Sequence, residues 1–258
     1  MCKFFTTFVP DFKIIMEKIS KAQVKLVKSL QQKKFRDELG FFVAEGEKCV
    51  EELRKSFELI SLYREGENAT RTEIEQMSGL RTPQGTIAVF KKSPIPISQS
   101  PASHLTLALD GIQDPGNLGT IIRTCDWFGV HDIVCSLDTA DCYNPKVVQA
   151  TMGALARVRV HYVDLPTWLA KQECPIIGTL LDGKDMYEVL RNEGMRVEGL
   201  KNEGIIVMGN EGNGISQEVR KLVTHPICIP SYPKNAETSE SLNVSIATAI
   251  VLAEFRRD

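Results

Sequence analysis

The stretch "LTLALDGIQDPGNLGTIIRTCDWFGV", residues 105–130, decides how this chain folds. An apolar run feeds a turn rich in Gly and Pro, and a helical pattern follows at once, which is the signature of a strand–turn–helix unit. The alternation then repeats. "DIVCSL", "RVRVHYV", "PIIGTLLD", "GIIVMG" and "PICIP" read as strands, and "NPKVVQATMG", "LPTWLAKQ", "QEVRKLV" and "SESLNVSIATAIVLAEFRR" read as helices. Repeated βα units with β-branched strands predict an α/β domain over 105–258, built on a parallel sheet covered on both faces. Ligands in such folds bind at the carboxyl ends of the strands.

Upstream, "KKSPIPISQSPASH" has three prolines, four serines and no periodicity, and we place a linker over 93–104. Residues 16–92 read as a smaller α/β unit. A helix is expected over "ISKAQVKLVKSLQQKKFRDELG", then a strand "FFVAEG", a helix "EKCVEELRKS", a strand "FELISLYRE", a helix "RTEIEQMSGL" and a closing strand "GTIAVFKK". Residues 1–15 form an extension of doubtful order ahead of a second candidate start at Met16.

Composition narrows the function classes. The chain has 258 residues, 43% hydrophobic and 25% charged, enough for one large or two small globular domains. No apolar run approaches the roughly 20 residues of a membrane helix, and the N-terminus does not read as a signal peptide, so a cytoplasmic protein off the membrane is expected. Seven cysteines without a CxxC pair fit a reducing compartment, and four histidines without HExxH spacing give no reason to expect a metal. The net charge of −2 conceals a split: residues 1–97 carry +4 and residues 98–258 carry −6. Lys18, Lys21, Lys25, Lys28, Lys33, Lys34 and Arg36 follow one another with no acidic residue between them. Such an element is a footprint for RNA phosphates, or else a solvated helix face.

Three loops carry chemistry. In "DPGNLGTIIRT", Asn117 can cap the helix, and Arg123 offers a fork of donors suited to phosphate, or to a surface ion pair. In "VMGNEGNGIS", a strand ends in a turn that is neither a dinucleotide fingerprint nor a Walker loop. Its carboxylate, Glu211, suits a cationic or hydrogen-bond-donating ligand; the alternative is a plain turn. In "IPSYPKNAETSESLNVSIATAI", Ser239 or Ser241 is the expected N-cap of the last helix, and Ser241 and Asn243 bring neutral hydrogen-bonding side chains beside two strand ends.

Asn117, Gly119 and Arg123, then Gly209, Asn210, Glu211, Gly212 and Gly214, then Ser241, Leu242, Asn243 and Ser245, resemble in order and spacing the three signature motifs of the SpoU (TrmH-type) RNA 2′-O-ribose methyltransferases of the SPOUT superfamily. The resemblance covers about 105–258 and implies a deep trefoil knot that binds S-adenosylmethionine. Backbone around Thr179, Leu180, Gly209, Asn210, Gly212, Ile229 and Leu242 would hold the cofactor. It implies a catalytic set of Arg123, Asn117, Glu211, Ser241 and Asn243, and a homodimer through the C-terminal domain. Residues 16–92, with "RDELGFFVAEGEKCVEE", resemble the family's N-terminal substrate-binding domain of L30e/L7Ae-like fold. The implied substrate is ribosomal RNA of the 23S type. Transfer RNA, and a non-catalytic RNA-binding role in ribosome assembly, are the alternatives. Two departures stand out: the segment before Ser241 is longer than the compact loop of many members, leaving contacts from 231–238 open, and Cys125 replaces a common alanine.

Overall fold

A computed structural model describes residues 19–93, 104–191, 203–233, 239 and 241–257. Lys18, the 1–15 extension, most of the linker and most of the 231–238 segment lie outside them.

The smaller unit runs α1 (Lys21–Ser29), α2 (Lys33–Leu39), β1 (Phe41–Glu45), α3 (Glu47–Leu53), β2 (Leu59–Arg64), α4 (Arg71–Met77) and β3 (Thr86–Lys91). Its three strands form an antiparallel sheet in the order β1-β3-β2. The single helix expected over residues 19–40 is two. Leu30 ends α1, and the Arg36 guanidinium Nη1 folds back to donate to the carbonyls of Leu30 and Gln31, both at 2.9 Å. Those carbonyls are the orphan acceptors of a helix end, so Arg36 stabilises the break.

The larger unit contains β4 (Leu105–Asp110), α5 (Pro115–Trp127), β5 (Asp132–Ser136), α6 (Pro145–Thr151), β6 (Arg159–Val163), α7 (Leu165–Leu169), β7 (Ile176–Asp185), α8 (Met186–Arg191), β8 (Gly204–Gly209), α9 (Gln217–Arg220), β9 (His225–Cys228) and α10 (Val244–Phe255). Its six strands are all parallel, in the order β6-β5-β4-β8-β7-β9. Strand alternation sorts the core. Leu105, Leu107 and Leu109 face a cluster with α5, α6 and α10, while Ala108 joins Val134, Ile205 and Val207 on the opposite face with α7 and α9.

The first of those clusters also takes in Phe42, Phe90, Val50 and Leu53, so the two units share one core. Tyr143 packs on Phe42 at a centroid separation of 4.8 Å, and Lys92 sits 5.2 Å over the Tyr143 ring. Helices α5 and α6 approach closely at Gly119, where a Cβ would lie 2.5 Å from that of Ala150. At the opposite end of the sheet from the loops discussed below, Asp132 accepts from Arg159 Nε at 2.7 Å and pairs with His104 and His161 at 2.8 and 2.9 Å. Burial pushes the Asp132 carboxyl up, but these partners outweigh burial and hold it far below the usual carboxylate range. Among the described residues, no helix is long and apolar enough to cross a membrane, and no group of His, Cys, Asp and Glu could hold a metal ion.

Candidate active site

The sheet switches between β4 and β8: the chain lays β4, β5 and β6 outward on one side, then crosses over to place β7, β8 and β9 on the other, with β8 against β4. A crevice opens at such a switch point, at the carboxyl ends of the strands. The loops after β4 and β8 carry the first two motifs to that place.

Helix α5 begins earlier than the sequence suggests. Its N-cap is Asp114, whose Oδ1 accepts from the Asn117 amide at 2.8 Å, and Pro115 occupies the first turn. Asn117 is therefore not the cap, and its side chain is released for other work. The Asn117 Nδ2 donates to Glu211 Oε1 in a short hydrogen bond, and its Oδ1 accepts from Asn243 Nδ2 at 3.0 Å. Asn243, not Ser239 or Ser241, caps α10: its Oδ1 accepts from the amides of Ser245 and Ile246 and from the Ser245 hydroxyl at 2.6 Å. Ser245, a residue of the third motif outside the expected catalytic set, is buried and fixes the Asn243 carboxamide. Three segments distant in sequence thus meet in one directional chain, Asn243 to Asn117 to Glu211.

The β8 loop is held from inside. Asn210 Oδ1 accepts from the amides of Gly212 and Asn213 at 2.9 and 3.2 Å, and its Nδ2 donates to the Gly111 carbonyl at 2.7 Å. Asp110 receives the Ser216 amide at 2.7 Å. Asn210 therefore clamps the two loops together, with its oxygen and amide both engaged inside the protein. Gly209 has its own reason to be glycine: a Cβ there would lie 2.3 Å from the backbone of Gly214 and Ile215, where the loop folds back. The close approach of the protein's own backbone already requires glycine there.

Thr179 and Leu180 lie midway along β7, just past its pairing with β8 over Ile176–Gly178, Ile229 just past β9, and Leu242 ahead of α10. Thr179 donates to the Val207 carbonyl at 3.0 Å, tying β7 to β8. Of the seven large apolar side chains exposed among the described residues, Leu181, Tyr232 and Leu242 lie in these segments, with Tyr232 at 90%.

Two expected residues stand apart. Arg123, six residues along α5 from Asn117, projects about 120° away from it around the helix. It is exposed and has no hydrogen bond or ion pair among the described residues. Ser241 is also exposed and contacts neither Asn117 nor Asn243 through a hydrogen bond. In the smaller unit, Lys21, Lys25 and Lys28 line one exposed face of α1 and have no acidic partner among the described residues. Lys33 pairs with Asp37 at 2.6 Å, and Lys34 lies over the Phe35 ring. Arg36 contradicts the sequence reading: it is 1% exposed, and its Nη2 meets Asp141 at 2.7 Å. A cation enclosed with its counter-ion cannot reach a phosphate.

The profile of the SpoU rRNA methylase family matches residues 104–253, and that of the MRM3-like substrate-binding domain matches residues 21–88. The chain belongs to the SpoU rRNA methylase family. It is 28% identical over 260 residues to the 23S rRNA (guanosine(2553)-2′-O)-methyltransferase RlmP of Bacillus subtilis, covering 93% of this chain and 98% of RlmP. Its fold matches a TrmH-family protein of Porphyromonas gingivalis with a TM-score of 0.78 and 36% identity, over 92% of this chain and 98% of that one. The AdoMet-bound rRNA methyltransferase of Sinorhizobium meliloti matches with a TM-score of 0.77 and 27% identity, over 95% and 97%. The chain spans 64% of the length of one further curated relative and 58% of another.

Proposed function

We propose that the chain is an S-adenosylmethionine-dependent RNA 2′-O-ribose methyltransferase acting on ribosomal RNA of the 23S type in the cytoplasm. The observation that carries this reading is the Asn243–Asn117–Glu211 chain at the switch point, where three loops converge. The Bacillus relative, similar along nearly its whole length, favours ribosomal over transfer RNA. When bound, S-adenosylmethionine supplies an electrophilic methyl group on a sulfonium. The middle of β7 and the ends of β8 and β9, with Thr179, Leu180, Gly209, Ile229 and Leu242, would hold it, in the knotted arrangement the family resemblance implies.

A ribose 2′-OH is a poor nucleophile until its proton is accepted or shared. Glu211 uses Oε1 for Asn117 and keeps Oε2 without a partner among the described residues, so Oε2 is placed to accept from that hydroxyl. Arg123 offers only hydrogen-bond donors, in a planar fork, and so acts by contact and not as the base. It grips a phosphate next to the target ribose, fixing the sugar and favouring loss of its proton. Ser241, exposed beside Asn243, completes the polar wall against the sugar. Lys21, Lys25 and Lys28 hold RNA away from the reacting nucleotide, on a domain of the L30e-like type that the resemblance implies.

The functional unit is a homodimer. Helix α10 is apolar around its whole circumference, yet Ile246 is 53% exposed, and Trp127 at the end of α5 is 85% exposed. A helix of that kind is covered in the working assembly. A second copy lying across α5 and α10 covers both side chains and carries Arg123 toward the neighbouring site. Trp127→Glu with Ile246→Glu is expected to give a folded monomer by light scattering; a dimer that persists would refute this interface.

The activity test is transfer of labelled methyl from S-adenosylmethionine to fractionated RNA from cells lacking the protein, with mapping of alkali-resistant 2′-O-methyl positions. Label in large ribosomal RNA supports the proposal, and label in transfer RNA moves the substrate. Cofactor binding with no label in any fraction would leave an RNA-binding role in assembly, and absence of cofactor binding would sink the reading.

A further inference from the structure

We propose that Arg36 is a positioning residue that holds the lysine face of α1 in register with the methyl-transfer centre. The inference rests on the RNA-binding role given above to Lys21, Lys25 and Lys28. Arg36 makes four hydrogen bonds, two within the smaller unit and two across to the larger one. Its Nη1 holds the Leu30 and Gln31 carbonyls at the end of α1, and its Nε and Nη2 reach Asp141 Oδ2 at 3.0 and 2.7 Å. The other oxygen of Asp141 accepts from the Tyr143 amide at 3.0 Å, which sets the loop after β5.

From that loop the bonds run on to the site. The Ala140 amide donates to the Ile112 carbonyl at 2.8 Å, and the Gly111 amide donates to the Ser136 hydroxyl at 2.8 Å. The Gly111 carbonyl then takes Asn210, whose neighbour Glu211 holds Asn117. A continuous set of directional contacts therefore links the end of the basic helix to the catalytic loops.

Cohesion alone does not require this pair. Phe42, Phe57 and Tyr143 already supply an apolar interface, and a buried ion pair adds little stability over apolar groups of the same size. What a guanidinium adds is angle: a planar fork fixes the orientation of what it joins. The consequence for function is selection by shape, since RNA gripped on α1 is presented to the site at one distance and one angle.

The test uses the full chain, S-adenosylmethionine and an in-vitro-transcribed large-subunit ribosomal RNA. Arg36→Met with Asp141→Leu keeps volume and burial; Asp141→Asn serves should the double variant fail to fold. We expect KM for RNA to rise roughly tenfold, with kcat within about twofold and cofactor Kd unchanged. Lys21→Gln, Lys25→Gln and Lys28→Gln together should also raise KM. Adding them to the Arg36 and Asp141 changes should raise it by much less than the product of the two effects, because lysines out of register no longer help. Effects that multiply, or a fall in kcat at unchanged KM, would overturn the positioning role. A lysine triple variant with unchanged KM would overturn the RNA-binding face itself.

Discussion

Arg123→Ala is expected to lower methyl transfer about 10²–10³-fold while cofactor affinity stays at the wild-type value, the scale for losing a fixed charge contact in a transition state. The expectation follows from placement. Arg123 is an exposed cation without an ion pair among the described residues, so its removal leaves no buried group unsatisfied and little stability is at stake. Arg123→Lys should recover little, because an ammonium lacks the fork that holds a phosphate in one orientation. The same residue tests the shared site. Arg123 lies on a different face of α5 from Asn117, so a site that uses both draws them from different subunits. Refolding Arg123→Ala together with Asn117→Ala as a mixture should then restore roughly a quarter of wild-type activity, since half the dimers are mixed and each carries one intact site. No recovery in the mixture, with dimers formed, would return Arg123 to its own subunit's site. A near wild-type rate for Arg123→Ala alone would remove it from catalysis.

How far the sequence speaks for this site depends on the range of the forces involved. Strand and helix periods are local, and "LTLALD", "DIVCSL" and "GIIVMG" became β4, β5 and β8 as their patterns require. The meeting of the three loops was legible only because motifs in a fixed order imply a shared crevice. Arg36 was misread for the opposite reason. A run of basic residues counts charge but not direction, and the partner that turns Arg36 inward, Asp141, lies 105 residues away. The same blindness hid the break in the first helix, which depends on that inward turn. Caps were missed by small shifts with large chemical meaning. Asp114 takes the capping role expected of Asn117, and Asn243 takes the one expected of Ser239 or Ser241. Each substitution of roles decides which side-chain atoms remain for the substrate.

Asn243→Asp isolates that division of labour. Aspartate is as good an N-cap as asparagine, and its carboxylate can still accept from the Ser245 and Ile246 amides at a helix N-terminus, where negative charge is favourable. Stability should therefore hold, with a melting temperature within a few degrees of wild type. What changes is the atom facing Asn117. The Nδ2 donor at 3.0 Å becomes a carboxylate oxygen opposite the Asn117 Oδ1, and two acceptors cannot share that contact. Asn117 must turn its amide toward residue 243, which withdraws the donor from Glu211 and leaves that carboxylate without its orienting bond. The rate should fall by about tenfold to a hundredfold, the cost of losing one to two well-placed hydrogen bonds in a site. Asn243→Ala, by contrast, removes cap and donor together, and should lose about 1 kcal/mol of stability as well as rate. If Asn243→Asp kept full activity, the chain from α10 through Asn117 to Glu211 would be scaffolding; if it lost stability instead, the cap would be the residue's whole purpose.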